Sequence, residues 1–159
     1  MNEFALHPEV LDFVERKLAF YLTKRSLLVP TLLLAQEYHG GYVSPELIKS
    51  IAKLLEVPEQ EVYSTASFYS LINKERVGRH VIMACHNISC YLRGGDSLIA
   101  KLEKLLGIKV GETTADGRFT LFTVECLAAC GGAPAMMIDK EYFENVSEDA
   151  LEEILAKFK

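Results

Sequence analysis

Four cysteines, and no others in the 159 residues, fall into two close pairs: Cys85 and Cys90 in "ACHNISCYLRGG", Cys126 and Cys130 in "ECLAACGGAP". Four residues separate the first pair, three the second, and thirty-five lie between the pairs. Loops this short let both thiolates of a pair fold back onto one centre. A thirty-five-residue connection enforces no pairing by itself, because closure entropy varies only slowly with length. If the four sulfurs act together, the fold must carry the two loops to one place.

The compartment bears on what they do there. "MNEFALHPEV" lacks the basic and then apolar layout of a signal peptide. The most apolar stretch, "SLLVPTLLLA", is interrupted by Pro30 and too short to span a bilayer. These features predict a cytoplasmic address with no direct membrane insertion. In such a compartment paired cysteines serve as metal ligands or redox thiols rather than structural disulfides. A net charge of −5, a pI near 5.4 and the lack of a Lys/Arg stripe argue against a nucleic-acid partner.

Two regions with different patterning follow one another. Residues 1–75 read as helices only and predict a small N-terminal four-helix bundle. "PEVLDFVERKLAFYL" aligns Val10, Leu11, Val14, Leu18 and Tyr21, and "TLLLAQEYHGG" reads as a short buried helix stopped at Gly40 and Gly41. "SPELIKSIAKLLE" pairs a capping Ser44 and Pro45 with a stripe of Leu47, Ile48, Ile51, Leu54 and Leu55. "PEQEVYSTASFYSLI" lines up Val62, Ala66 and Tyr69; Tyr38, Phe68 and Tyr69 are expected in the bundle core. Residues 76–159 read as strand ("HVIMAC"), helix ("GDSLIAKLEKLLG"), strand after the Asp116-Gly117 turn, two short strands in "PAMMIDKEYFENV", and a final helix. That order predicts a thioredoxin-like α/β domain following the all-α bundle. The Ala133–Pro134 bond is expected trans.

Four thiolates at the ends of strands suit three chemistries. A 2Fe-2S cluster takes four cysteine ligands and carries net negative charge. Gly94-Gly95 and Gly131-Gly132, beside the pairs, would let backbone amides approach such an anion. Structural zinc also accepts four thiolates, with ligand spacings usually shorter than these. A dithiol redox centre needs fewer cysteines and normally a C-x-x-C motif, which is absent. Residue types and spacing leave all three open.

C-x4-C and C-x3-C-x-x-A-P, with "GETTADGRFTLFTVECLAAC", "VPTLLLAQEYHGGYVSPELIKSIAKLL" and "VYSTASFYSLI", closely resemble one family. It is the thioredoxin-like 2Fe-2S subunit of the NADH-dehydrogenase module of complex I, the NuoE family. The resemblance spans nearly the whole chain; Ser67 stands where that family's pattern more often has Thr. It implies Cys85, Cys90, Cys126 and Cys130 as ligands of one 2Fe-2S cluster in residues 76–159. It also implies an electron-transfer subunit of NADH:quinone oxidoreductase, with NADH and FMN on a flavoprotein partner and further complex subunits around it. The chain would sit peripherally on the inner face of the membrane through that complex. No catalytic residue and no nucleotide site are expected on this chain, which lacks a glycine-rich phosphate loop. Related roles are the equivalent subunit of an NAD-linked hydrogenase or formate dehydrogenase, a free ferredoxin-like carrier, and a zinc-stabilised adaptor. Within the iron–sulfur reading, Cys85 and Cys90 bind one iron and Cys126 and Cys130 the other, the glycine pairs donate amides to sulfur, and His86 is a non-ligand. Of Met136 and Met137, one packs in the core and the other faces the cluster or a partner.

Overall fold

The computed structural model describes residues 4–159. The chain divides into two compact units, Met1–Arg76 and Val77–Lys159.

In the first unit, α1 (Pro8–Leu18) starts where the His7 ring accepts the Glu9 N–H, with Pro8 in the first turn, where its missing N–H costs nothing. A 3-10 turn, Lys24–Leu27, leads into α2 (Leu28–Tyr38). The start of α3 (Pro45–Leu55) is capped by Ser44, whose Oγ accepts the Leu47 N–H at 3.2 Å. The helix α4 runs Glu59–Phe68. Val10, Val14, Leu27, Leu32, Leu47, Ile51, Leu55, Val62 and Ala66 form the shared core. Each large aliphatic chain buried there is worth about 1.5–3 kcal/mol relative to exposure. After α4 the backbone is tied to α2 by Gln36, which accepts the Asn73 N–H and donates to the Leu71 carbonyl.

Several core expectations fail here. Phe68 is 82% exposed, and Tyr38, Tyr69, Leu11 and Tyr21 are also exposed. For Tyr21 and Tyr69 the reason is element length. The helix α1 ends at Leu18, before Tyr21, and α4 ends at Phe68, so Tyr69 no longer follows the helical repeat. In α1, Val10 and Val14 are fully buried and Phe13 and Leu18 pack partly buried against the same core, so of the expected stripe Leu11 and Tyr21 fall outside.

The second unit is built on a four-stranded sheet of order β2-β1-β3-β4, with β1 His80–Cys85, β2 Phe119–Val124, β3 Met136–Ile138 and β4 Glu141–Phe143. The strand β1 pairs parallel with β2 and antiparallel with β3, which pairs antiparallel with β4. The parallel pair requires a crossover, supplied by α6 (Gly95–Leu106). A short helix not expected from the sequence, α5 (Ile88–Leu92), begins three residues after Cys85 and carries Cys90 within it. The chain closes with a 3-10 turn, Glu148–Ala150, and α7 (Leu151–Ala156). Arg118 caps the end of the chain by donating to the Leu155 and Phe158 carbonyls.

Strand alternation splits the apolar side chains into two cores. Ile82 and Ala84 face a cluster with Leu98, Leu102, Leu121, Met136, Ile138 and Leu151. Met83 and Cys85 face the other, with Cys90, Val124, Leu127, Ala133, Ala135 and Met137. Met136 is therefore core, and Met137 packs on the cysteine side of the sheet. The Ala133–Pro134 bond is cis, contrary to the base-rate expectation. For an X–Pro bond the local preference is small, and the surroundings decide. No described helix is long and apolar enough to cross a membrane.

Candidate metal centre

The parallel pairing of β1 and β2 places Cys85 opposite Val124, so Cys126 follows two residues beyond the same strand end. Both cysteine loops thus leave one edge of the sheet. Their roots are tied together. The His86 N–H donates to the Val124 carbonyl at 3.2 Å, and His86 Nε2 lies 3.3 Å from Glu125 Oε1. Cys85 also holds β3's lead-in, its N–H donating to the Ala135 carbonyl at 3.1 Å.

Cys90 is positioned by α5. The Asn87 side chain accepts the Ile88 N–H at 2.8 Å and opens that turn. Arg93 Nε then donates to the Ala133 carbonyl at 2.7 Å, fastening the end of the turn to the segment beyond Cys130. The start of α6 presses against the same cysteine. A Cβ on Gly95 would lie 2.8 Å from the Cys90 carbonyl oxygen, so only glycine permits this approach.

The second loop has a different plan. Leu127 is buried against the cysteine-side core, Ala128 takes a left-handed conformation at φ 58°, and the Ala128 N–H points back to Cys126 Sγ at 3.2 Å. The Gly94 and Gly132 amides donate to the Tyr91 and Ala129 carbonyls instead. These two glycine amides therefore do not perform the expected sulfur-facing role, because local turns already use them.

The four thiols differ in environment. Cys85 and Cys90 are buried, at 4% and 2% exposure, whereas Cys126 and Cys130 are exposed. Burial pushes the Cys90 thiol above the usual cysteine range, the Cys85 thiol beside it adds by hydrogen bonding and charge, and Cys130 adds by charge. A backbone hydrogen bond from Ala135 opposes the rise. Cys85, Cys90 and Cys130 thus sense one another. As arranged, no three His, Cys, Asp or Glu side chains among the described residues converge into a closed metal-binding set.

The donor set nevertheless fits a 2Fe-2S cluster: four free thiols, two per loop, at one sheet edge, with an amide directed at the Cys126 sulfur. His86 has its carboxylate partner in Glu125 and stands outside the thiol group. The residue that sequence patterns did not point to is Ala128. Alanine carries no chemical mark of such a role, and only the backbone path reveals it.

Residues 14–159 match the model of the thioredoxin-like [2Fe-2S] ferredoxin family. An NADH-quinone oxidoreductase subunit of Rickettsia felis is 41% identical over 135 residues, covering 85% of this chain and 81% of that protein. A second such subunit, from Rhizobium meliloti, is 41% identical over 146 residues, covering 92% of this chain and 86% of that one. Among solved structures, the H2-reduced NAD+-reducing [NiFe]-hydrogenase aligns at a TM-score of 0.66 and 24% identity. It covers 82% of this chain but only 23% of the hydrogenase chain, and it speaks to fold alone. The thioredoxin-like architecture expected from the element order is the one this protein has. The chain belongs to the thioredoxin-like [2Fe-2S] ferredoxin family and is a homologue of these NADH-quinone oxidoreductase subunits.

Proposed function

We propose that Cys85, Cys90, Cys126 and Cys130 together hold one 2Fe-2S cluster. On this reading the chain is the electron-transfer subunit of an NADH:quinone oxidoreductase, exchanging one electron with the FMN of an NADH-binding partner subunit. The observation that carries the reading is the juxtaposition of both cysteine loops at one edge of the sheet through the β1–β2 parallel pair. When bound, the cluster supplies a one-electron redox site.

The chain's own residues do the rest. The loop after β1 keeps water from its side of the site, because Cys85 and Cys90 sit in an apolar layer with Met83, Val124, Leu127 and Met137. The loop after β2 leaves its cysteines exposed and so provides the open side from which a partner can approach. Loading requires the thiols to lose their protons, so cluster uptake releases protons and is weakened in acid. Four thiolates and a chain of net charge −5 both disfavour an added electron, and a low midpoint potential is expected. Residues 1–75 and 76–159 act as separate domains, the second carrying the cluster and the first contributing surface for the complex. In the cell the chain is peripheral on the inner membrane face, held there by the other subunits.

The test is co-purification of the native protein under anaerobic conditions. A red-brown protein with four-cysteine iron–sulfur spectra, accompanied by a flavin-bearing subunit, is the expected result. A colourless zinc protein, or a chain eluting alone at both low and high salt, overturns the reading.

A further inference from the structure

We propose that the backbone N–H of Ala128, rather than a glycine amide or a cationic side chain, compensates the negative charge of the Cys126 sulfur and thereby sets the potential of the centre. This deepens the reading of Cys126 as a cluster ligand and rests on it.

The geometry is direct: the Ala128 nitrogen lies 3.2 Å from Cys126 Sγ, within one loop, two residues on. The backbone that produces this contact is unusual. Ala128 has φ 58°, a left-handed conformation that residues with a Cβ avoid unless their surroundings impose it. The Ala128 side chain does not explain the conformation, because it is exposed. Its neighbour supplies the constraint instead. Leu127 is buried at 8% among Met83, Cys85, Cys90, Val124 and Met137, which pins the loop on the residue before the reversal. What the reversal accomplishes is to turn one amide back toward sulfur.

Four other donors near the loops are engaged elsewhere. Arg93 Nε serves the Ala133 carbonyl, His86 faces Glu125, and the Gly94 and Gly132 amides serve carbonyls of their own turns. Charge compensation at Cys126 thus comes from an alanine amide held by the fold. An N–H dipole aimed at a ligand sulfur favours the more negatively charged state, so removing it moves the midpoint potential down.

The decisive experiment replaces residue 128 of the full chain by lactate, through nonsense suppression with an α-hydroxy acid. The ester keeps the methyl group and the chain path but has no N–H. Lactate at position 129 is the control for the ester itself. In EPR-monitored redox titration, the ester at 128 is expected to shift the midpoint to more negative potential, while the ester at 129 leaves it near that of the unmodified chain. No shift, or equal shifts at both positions, overturns the proposal. A second arm needs only Ala128→Gly, which keeps the N–H and suits the left-handed backbone. Its midpoint is expected to match the wild type while its unfolding temperature rises; a potential change as large as the ester's overturns the proposal. With alanine labelled by heavy nitrogen, pulsed EPR of the reduced wild type is expected to show an alanine amide coupling that Ala128→Gly loses. Identical spectra for the two also overturn it. A wild-type chain that carries no four-cysteine cluster is a different result, which removes the functional reading itself.

Discussion

The two cysteine loops leave the same edge of one sheet and present the same chemical group, yet they treat solvent in opposite ways. After β1, a five-residue helix and the start of α6 close over Cys90, and strand alternation turns Cys85 inward. After β2, Leu127 is the single residue of the loop interior that is buried, and Cys126 and Cys130 on either side are exposed. The difference teaches that ligand type and loop spacing do not fix a ligand's environment. The side chains between the ligands do, through what they bury. One loop is a wall and the other a window, a division that suits a site which must retain a cofactor and still meet a partner.

The largest effect is expected from replacing the cysteines themselves. In the buried pair, serine would leave a hydroxyl in an apolar layer where its ionised form is costly, so Cys85→Ser and Cys90→Ser are expected to reduce bound iron at least tenfold. In the exposed pair, water can stabilise the substituted oxygen, so Cys126→Ser and Cys130→Ser are expected to retain a measurable, spectroscopically altered cluster. Iron-to-protein ratios and Mössbauer spectra of the four variants check this. Equal losses at all four positions would break the comparison. If Cys85→Ser and Cys126→Ser altered one common iron while Cys90→Ser altered the other, the assignment of one iron to each loop would be wrong.

Glycine substitutions sharpen the contrast at smaller cost. Gly95→Ala would place a Cβ 2.8 Å from the Cys90 carbonyl oxygen, a backbone atom that cannot rotate away. Overpacking of this kind costs about 1–3 kcal/mol, and each kcal/mol lowers the melting temperature of a domain this size by roughly 4–8 °C. In the open loop the two neighbouring glycines separate. Gly132→Ala meets the Glu144 side chain, whose Cβ is 2.6 Å from the added atom, whereas Gly131→Ala meets nothing within 4 Å. Thermal unfolding of the metal-free chain is therefore expected to rank Gly95→Ala lowest, Gly132→Ala next, and Gly131→Ala within about 0.5 kcal/mol of wild type. A destabilised Gly131→Ala would contradict the open character of that loop.

The smallest effect concerns protons. With the cluster absent, the exposed Cys126 and Cys130 are expected to alkylate before the buried pair. Cys90, buried and shifted upward, is expected to need a raised pH. The sign for stability follows from the same shift. The folded chain keeps the Cys90 proton at a pH where the unfolded thiol has lost it. That contribution is present below the unfolded thiol's range and is lost as pH rises through the folded value. Mass spectrometry of timed iodoacetamide labelling, with the metal-free chain's denaturation midpoint followed upward from neutral pH, measures both. Uniform labelling of all four thiols at one pH would remove the electrostatic half of the comparison.

Much of this protein was decided within short stretches of sequence. The Ser44-Pro45 start of α3, the inward stripe of Leu47, Ile51 and Leu55, the strand "HVIMAC" and the helix after Gly94 all follow from capping and periodicity that act over one or two turns. The identity and spacing of the four cysteines are equally local, and the family they resemble is the family the chain belongs to. What lay beyond reach was set by atoms distant in the chain. Tyr38, Phe68 and Tyr69 were expected in the core, but each stands at or just past the end of a helix, α2 or α4, and is exposed. The cis bond before Pro134, the wall-and-window difference between the loops, and the Ala128 amide turned toward sulfur carry no local sequence signal and appear only in the folded chain. Local sequence states which groups can bind; the closing of a thirty-five-residue connection through parallel strand pairing decided where they meet. Pairing energy between distant strands outweighs a closure cost that depends only weakly on what lies between them.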